Sequence, residues 1–163
     1  MYLKPVPVST LFSFTVPYYI SISTYGNYDI FNNNYACELL LNVLSYNKYA
    51  LDYRVYGFVI MPDQLHIVFQ PCKVPIHQVV RKNTANFTRY YQKIWGISIP
   101  IWGLDYYESP IKDYTALKQV QDEIHLKPEQ LCSNTFREYY YSSYRVYNVG
   151  SEEFMILLDR LQE

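Results

Sequence analysis

Glycine is scarce in this chain, with five in 163 residues. That scarcity leaves no glycine-rich loop of the kind that cradles nucleotide phosphates. Histidine is scarcer still: His66, His77 and His125 lie far apart, and neither HExxH nor GxSxG occurs, which removes the zinc-protease and hydrolase signatures. The three cysteines, Cys37, Cys72 and Cys132, are isolated. Without a CxxC pair they predict no structural zinc site, and their odd number speaks against a disulfide framework, so a reducing cytoplasm is the expected setting. No apolar run approaches the roughly 20 residues of a membrane span, and Met1-Tyr-Leu-Lys-Pro-Val-Pro7 lacks the apolar core of a signal peptide. Charge of one sign is also missing: 14 basic and 15 acidic residues leave a formal net charge of −1. There is no general field for nucleic acid, although a local basic patch stays open.

What is abundant is tyrosine, with 20 residues. Tyrosine suits half-buried sheet surfaces and also stacks on bases. The length fits one domain, residues 1–163, with a real core. Pro5 and Pro7 predict an extended start over residues 1–14. Tyr18 to Thr24 alternates as a strand, broken at Gly26-Asn27. Asn32-Asn-Asn34 can cap a helix, and Ala36, Leu40, Val43 and Leu44 form the apolar stripe of a helix over 36–49. Val55–Met61 and Gln64–Gln70 read as two strands joined by Pro62-Asp63 turn chemistry. Within the second, Gln64, His66, Val68 and Gln70 share one face, so a polar pair points the same way out of a strand start.

A long helix is predicted from about Ile76 to Trp95, closed by Gly96. Its buried stripe is Ile76, Val80, Phe87, Tyr91 and Ile94. Lys82, Asn86, Arg89 and Lys93 share another face, either an ordinary solvated surface or a phosphate-contacting ridge. An interrupted or edge strand is expected within Ile97 to Tyr107, around Pro100 and Gly103. Asp113 caps a helix from Tyr114 to about Lys127, stopped by Pro128, with Ala116, Leu117, Val120 and Ile124 inward. Glu123 and Lys127 are four apart, in the orientation that favours an ion pair. Residues 129–149 look irregular, and a short C-terminal helix is expected within 150–163, with Phe154, Leu157, Leu158 and Leu161 inward. The order predicts an α+β, ferredoxin-like fold: an antiparallel sheet with helices on one face and a helical tail.

Phe58-Val-Ile-Met-Pro-Asp-Gln-Leu-His-Ile-Val-Phe69 resembles the signature strand of the single-tyrosine HUH transposases, and more narrowly of the REP-associated tyrosine transposases. That pattern runs apolar residues, Met-Pro-Asn/Asp, then His-apolar-His. Pro17 to Gly26, Ile101-Trp102 with Tyr106-Tyr107, Glu123-Ile-His-Leu-Lys-Pro128 and Tyr141-Ser-Ser-Tyr-Arg-Val-Tyr147 are similar to further family segments in the same order, so the resemblance covers about residues 11–147.

The resemblance implies a ferredoxin-like enzyme of DNA transposition. Two histidines of one strand hold a divalent metal, magnesium or manganese, on a scissile phosphate of single-stranded or hairpin DNA. A tyrosine on the late helix attacks, forming a covalent phosphotyrosine link, and a polar residue one turn later completes the metal site. Carried over residue by residue, His66 matches the second histidine, and Gln64 stands for the first. Glu123 stands where the nucleophile belongs, and Lys127 replaces the polar residue. An amide oxygen is a weaker ligand than imidazole for most divalent metals, and an ammonium repels a metal. These changes, on two elements, read as a dismantled active site in a protein that still binds DNA, with Lys82, Arg89 and Lys93 as candidate DNA contacts. Two alternatives stay open. One is an interaction or structural protein that has left DNA. The other is a metal-dependent nuclease or transposase rebuilt on Gln64, His66 and Glu123, the last as an oxygen ligand. Tyr114 sits two and a half turns before Glu123 and cannot replace the tyrosine. His125 points to another side of its helix, as a packed or hydrogen-bonded residue, and His77 reads as an ordinary packed or surface residue. Monomer and homodimer are both compatible with the family.

Overall fold

The computed structural model describes residues 16–132 and 139–160, without the side chains of residues 131 and 132. Four strands, β1 (Tyr18–Thr24), β2 (Tyr53–Met61), β3 (Gln64–Pro71) and β4 (Trp102–Pro110), form one antiparallel sheet in the order β2-β3-β1-β4. The helices are α1 (Asn34–Leu51), α2 (Ile76–Trp95), α3 (Tyr114–Cys132) and the short α4 (Tyr144–Val149). This is the predicted ferredoxin-like arrangement. Local chemistry sets most boundaries. The Asn33 side chain accepts the Tyr35 N–H at the start of α1, Asp113 accepts the Ala116 N–H at the start of α3, and Gly96 closes α2 in the left-handed region at φ 63°.

The two sheet faces carry different cores. Ile20, Ile22, Phe58, Ile60, Leu65, Ile67 and Phe69 pack against α1 and α2. On the other face Val59, Met61 and Val68 meet Leu117 and Ile124 of α3. The two helices of the ferredoxin-like unit thus share one face as read, and α3 covers the opposite one. Strand alternation decides which face each residue joins. A bulge between Val55 and Gly57 adds Tyr56 to the α3 face.

The last segment protects the sheet edge at β2. Tyr141 and Ser143 exchange backbone hydrogen bonds with Ile60 and Phe58. Tyr139 and Tyr147 donate their hydroxyls to the Ile60 and Tyr56 carbonyls, and Asp159 accepts the Val55 N–H. An otherwise exposed row of strand donors and acceptors is thereby closed.

Several expectations need correction. Residues 151–160 form turns rather than the helix expected within 150–163, although Phe154 and Leu157 are buried as read. The helix in this region is instead α4, inside a stretch read as irregular. Pro128 does not stop α3, which runs on to Cys132. Ile94 is 61% exposed, and Val79 and Asn83 take the inward positions on α2. Asn83 is tolerated there because its amide donates to the Val79 carbonyl while its oxygen accepts from Asn47 and Tyr53. The extended reading of residues 1–14 and the inward reading of Leu161 lie outside the described residues.

Candidate functional site

Alternation along β3 puts Gln64, His66, Val68 and Gln70 on the α3 face. His66 is 4% exposed, so its ring must find partners within the protein. It finds two. Its Nε2 lies 3.0 Å from Gln64 Oε1, and its Nδ1 lies 2.8 Å from the Tyr19 hydroxyl. The Gln64 oxygen only accepts, so Nε2 carries the proton and donates, and Nδ1 accepts from Tyr19. Burial, reinforced by the Lys127 ammonium, pushes His66 down to about 4, so the ring is neutral at pH 7. The Tyr19 ring stacks on His66 with 11° between planes and meets Tyr107 edge-on at 5.8 Å. Tyr19 is itself raised, first by burial and, after a lowering hydrogen bond to Ser21, also by the charge of Glu123.

The structure therefore brings together Gln64, His66, Glu123 and Lys127, as the sequence pairing of strand and late helix required. Lys127 acts on His66 and Glu123 on Tyr19 through space. The expected Glu123–Lys127 ion pair does not form. Ion pairs among the described residues join Lys48 to Asp159, Lys118 to Asp122 and Arg145 to Glu153. Glu123 is exposed and Lys127 only partly buried, so each keeps much of its hydration, and an exposed pair would return little for the side-chain entropy it costs.

A divalent metal would meet a donor set that does not fit it. Both ring nitrogens of His66 are engaged, the adjacent Gln64 offers a neutral amide oxygen, and the charge that acts on the ring is the Lys127 cation, while the exposed Glu123 acts on Tyr19. Among the described residues no group of three His, Cys, Asp or Glu side chains is placed to hold a metal. Hard divalent ions take several oxygen ligands, usually with carboxylates among them.

Lys82, Arg89 and Lys93 are exposed on α2, whose Val80, Phe87 and Tyr91 pack on the sheet face opposite His66. They do not converge with Gln64 and His66. Asn86 leaves the ridge, because its amide donates to Asn47 across the α1–α2 interface. Arg89 lies over the Tyr90 ring at 4.9 Å. Trp102 is a packing residue, against Phe31 and Phe87.

His125 is buried, with Nε2 2.7 Å from Ser143 Oγ. That oxygen also accepts the Phe58 N–H and donates to the Phe58 carbonyl. The Ser-Ser-Tyr segment therefore ties α3 to β2, a structural role for residues noticed first as a motif. His77 is exposed. The residue that sequence reasoning missed is Tyr19. Its strand position and inward parity were legible, but nothing local pairs it with a histidine 47 residues away.

Two solved structures share this antiparallel β-α-β-β-α-β architecture. One is a REP-associated tyrosine transposase bound to a REP hairpin, with TM-score 0.70 and 12% identity over 91% of this chain and 93% of that one. The other is a candidate transposase from Deinococcus radiodurans, with TM-score 0.52 and 16% identity over 66% of this chain and 87% of that one. No family model and no curated protein matches the sequence.

Proposed function

We propose that this chain is a transposase-like protein that binds single-stranded or hairpin DNA in the cytoplasm and does not cut it. The observation that carries the reading is the closed chain Tyr19–His66–Gln64 on β3, the strand whose motif resembles the family's metal-binding one. A working site needs an imidazole nitrogen turned to a metal. Here one nitrogen is spent on a hydroxyl and the other on an amide, with an ammonium in reach of the ring. Glu123 supplies no tyrosyl oxygen, so no phosphotyrosine can form at that position. Tyr19 is the tyrosine hydrogen-bonded to the histidine, at 2.8 Å. Its hydroxyl is raised by burial, and a ring held at about 4 is a weak base for it. DNA binding is supported by the likeness to a structure that holds a DNA hairpin.

The test is incubation with labelled hairpin and single-stranded DNA in Mg²⁺ or Mn²⁺. The expected result is a mobility shift without any adduct that survives denaturation. A covalent adduct would overturn the inactive reading, and its mapping to Tyr19 or Glu123 would say how the site was rebuilt.

A second reading, an interaction protein that has left DNA, draws on the net charge of −1. Absence of binding at low salt favours it, whereas a steep loss of affinity with rising salt marks phosphate contact.

A further inference from the structure

Beyond the start of α3, the described residues leave the face that carries His66 concave. At the end of β3 away from Gln64, a cavity of about 390 Å³ lies between the strand ends and residues 111–117. Its walls include Arg54 of β2, Lys112 before α3 and Arg160 of the C-terminal segment, with Gln70 and Tyr114 between them. A second cavity, about 620 Å³, continues from Tyr114 and Arg160, which line both, past Lys118 and Tyr147. Each has the size of an ordinary ligand pocket, and their shared walls make them one trough. Six residues of strand separate Gln70 from Gln64, about 20 Å along the sheet.

The charge of this trough departs from that of the chain. Arg54, Lys112 and Arg160 are exposed, and none joins an ion pair among the described residues. Two of the acids that line the trough are committed elsewhere, and Glu152 stands in the wall of the larger cavity alone. Asp113 holds the start of α3 through the Ala116 N–H at 2.8 Å. Asp159 pairs with Lys48 at 2.8 Å and accepts the Val55 N–H. Three cations outside any ion pair among the described residues therefore line the smaller cavity, against Asp113 in its wall and the Asp159 charge that acts on Arg54, in a protein whose net charge is −1. Concave low-dielectric walls focus such a field, and an anion relieves the repulsion between the cations. Arginine recognises a phosphate through its planar donor fork. The Tyr114 ring, 49% exposed where the two cavities meet, offers a platform for a base. Gln70 is fixed in the wall because its side-chain oxygen accepts the Tyr56 hydroxyl at 2.7 Å.

We infer that this trough binds single-stranded nucleic acid, with Arg54, Lys112 and Arg160 on backbone phosphates and Tyr114 stacked on a base. The inference rests on the DNA-binding reading and gives that reading a contact surface distinct from the α2 ridge.

The test is fluorescence anisotropy of a labelled single-stranded oligonucleotide, titrated across about 50 to 200 mM salt. Relative to the unaltered chain, the triple variant Arg54→Ala/Lys112→Ala/Arg160→Ala is expected to flatten the slope of log K against log salt by about 2, since each single-strand phosphate contact contributes roughly 0.7. Tyr114→Ala alone is expected to weaken binding by about tenfold at unchanged slope, within the range of a lost stacking contact. All four side chains are exposed, and thermal unfolding run alongside verifies that the variants fold. If the unaltered chain binds no oligonucleotide at low salt, the DNA-binding reading and the trough fall together. If it binds and the triple variant keeps its slope, only the trough is overturned. Full displacement by inorganic phosphate or a mononucleotide at matched phosphate concentration would assign the trough to free phosphates and overturn the nucleic-acid inference.

Discussion

Acidification from pH 7 to pH 5 should destabilise this protein through two buried histidines. His66 is held down at about 4 by burial and then by Lys127. His125 is also held at about 4, again chiefly by burial, with Asp122 opposing the shift and Lys118 adding to it. An unfolded histidine titrates near 6.5. The folded value is depressed, so the unfolded state binds more protons in the window between the two. Stability is therefore full above about pH 6.5 and falls as pH drops toward about 4. At pH 5 the unfolded rings are almost fully protonated and the folded ones remain almost neutral, a cost of about 2 kcal/mol for each ring and about 4 kcal/mol for the pair. Against a total stability on the order of 5–15 kcal/mol, that loss is large. Urea unfolding at pH 7, 6 and 5 measures it, in a window above most carboxylate titration. His66→Gln should remove about half of the pH slope. A flat profile between pH 7 and 5, or an NMR titration of either imidazole with a midpoint near 6.5, would refute the assignment of both rings as buried and neutral.

Ser143→Ala removes the oxygen that serves the Phe58 N–H, the Phe58 carbonyl and His125. It should cost about 1–3 kcal/mol in chemical denaturation through buried groups left without partners, and a change within about 0.5 kcal/mol would contradict that role. Gln64→His combined with Lys127→Gln supplies a second imidazole and removes the cation that acts on His66. Mn²⁺ affinity followed by electron paramagnetic resonance should rise by about tenfold or more over the unaltered chain. Equal affinity would show that these two residues are not what spoils the donor set.

Much of the framework was legible because it is local. Alternation marked Tyr18–Thr24 and the hairpin around Pro62-Asp63, and the four-residue apolar spacing marked α1 and α2. Asn33, Gly96 and Asp113 act where their cap chemistry predicts. Glu123 and Lys127 could be placed opposite the histidine strand from motif order, and the fold brings them there. Where local rules failed, longer-range packing had overridden them. Pro128 is carried within a helix that continues to Cys132. The C-terminal segment has no helix to form once Asp159, Phe154 and Leu157 are drawn onto β2 and the core.

The amino-acid sequence alone determined the β-α-β-β-α-β order, the two faces of β3 and the departures at Gln64, Glu123 and Lys127 from the pattern it resembles. Those follow from periodicities of 3.6 and 2 and from the chemistry of single positions. Only the tertiary structure decided that Tyr19 reaches His66, that Ser143 closes the edge of β2, and that the cations of α2 lie on the face opposite the histidine. Each depends on strand register and layer packing between residues tens of positions apart, which no local pattern encodes. Gln64 and His66 were visible from the start. That both nitrogens of the histidine are already engaged became visible only once β1 lay beside β3.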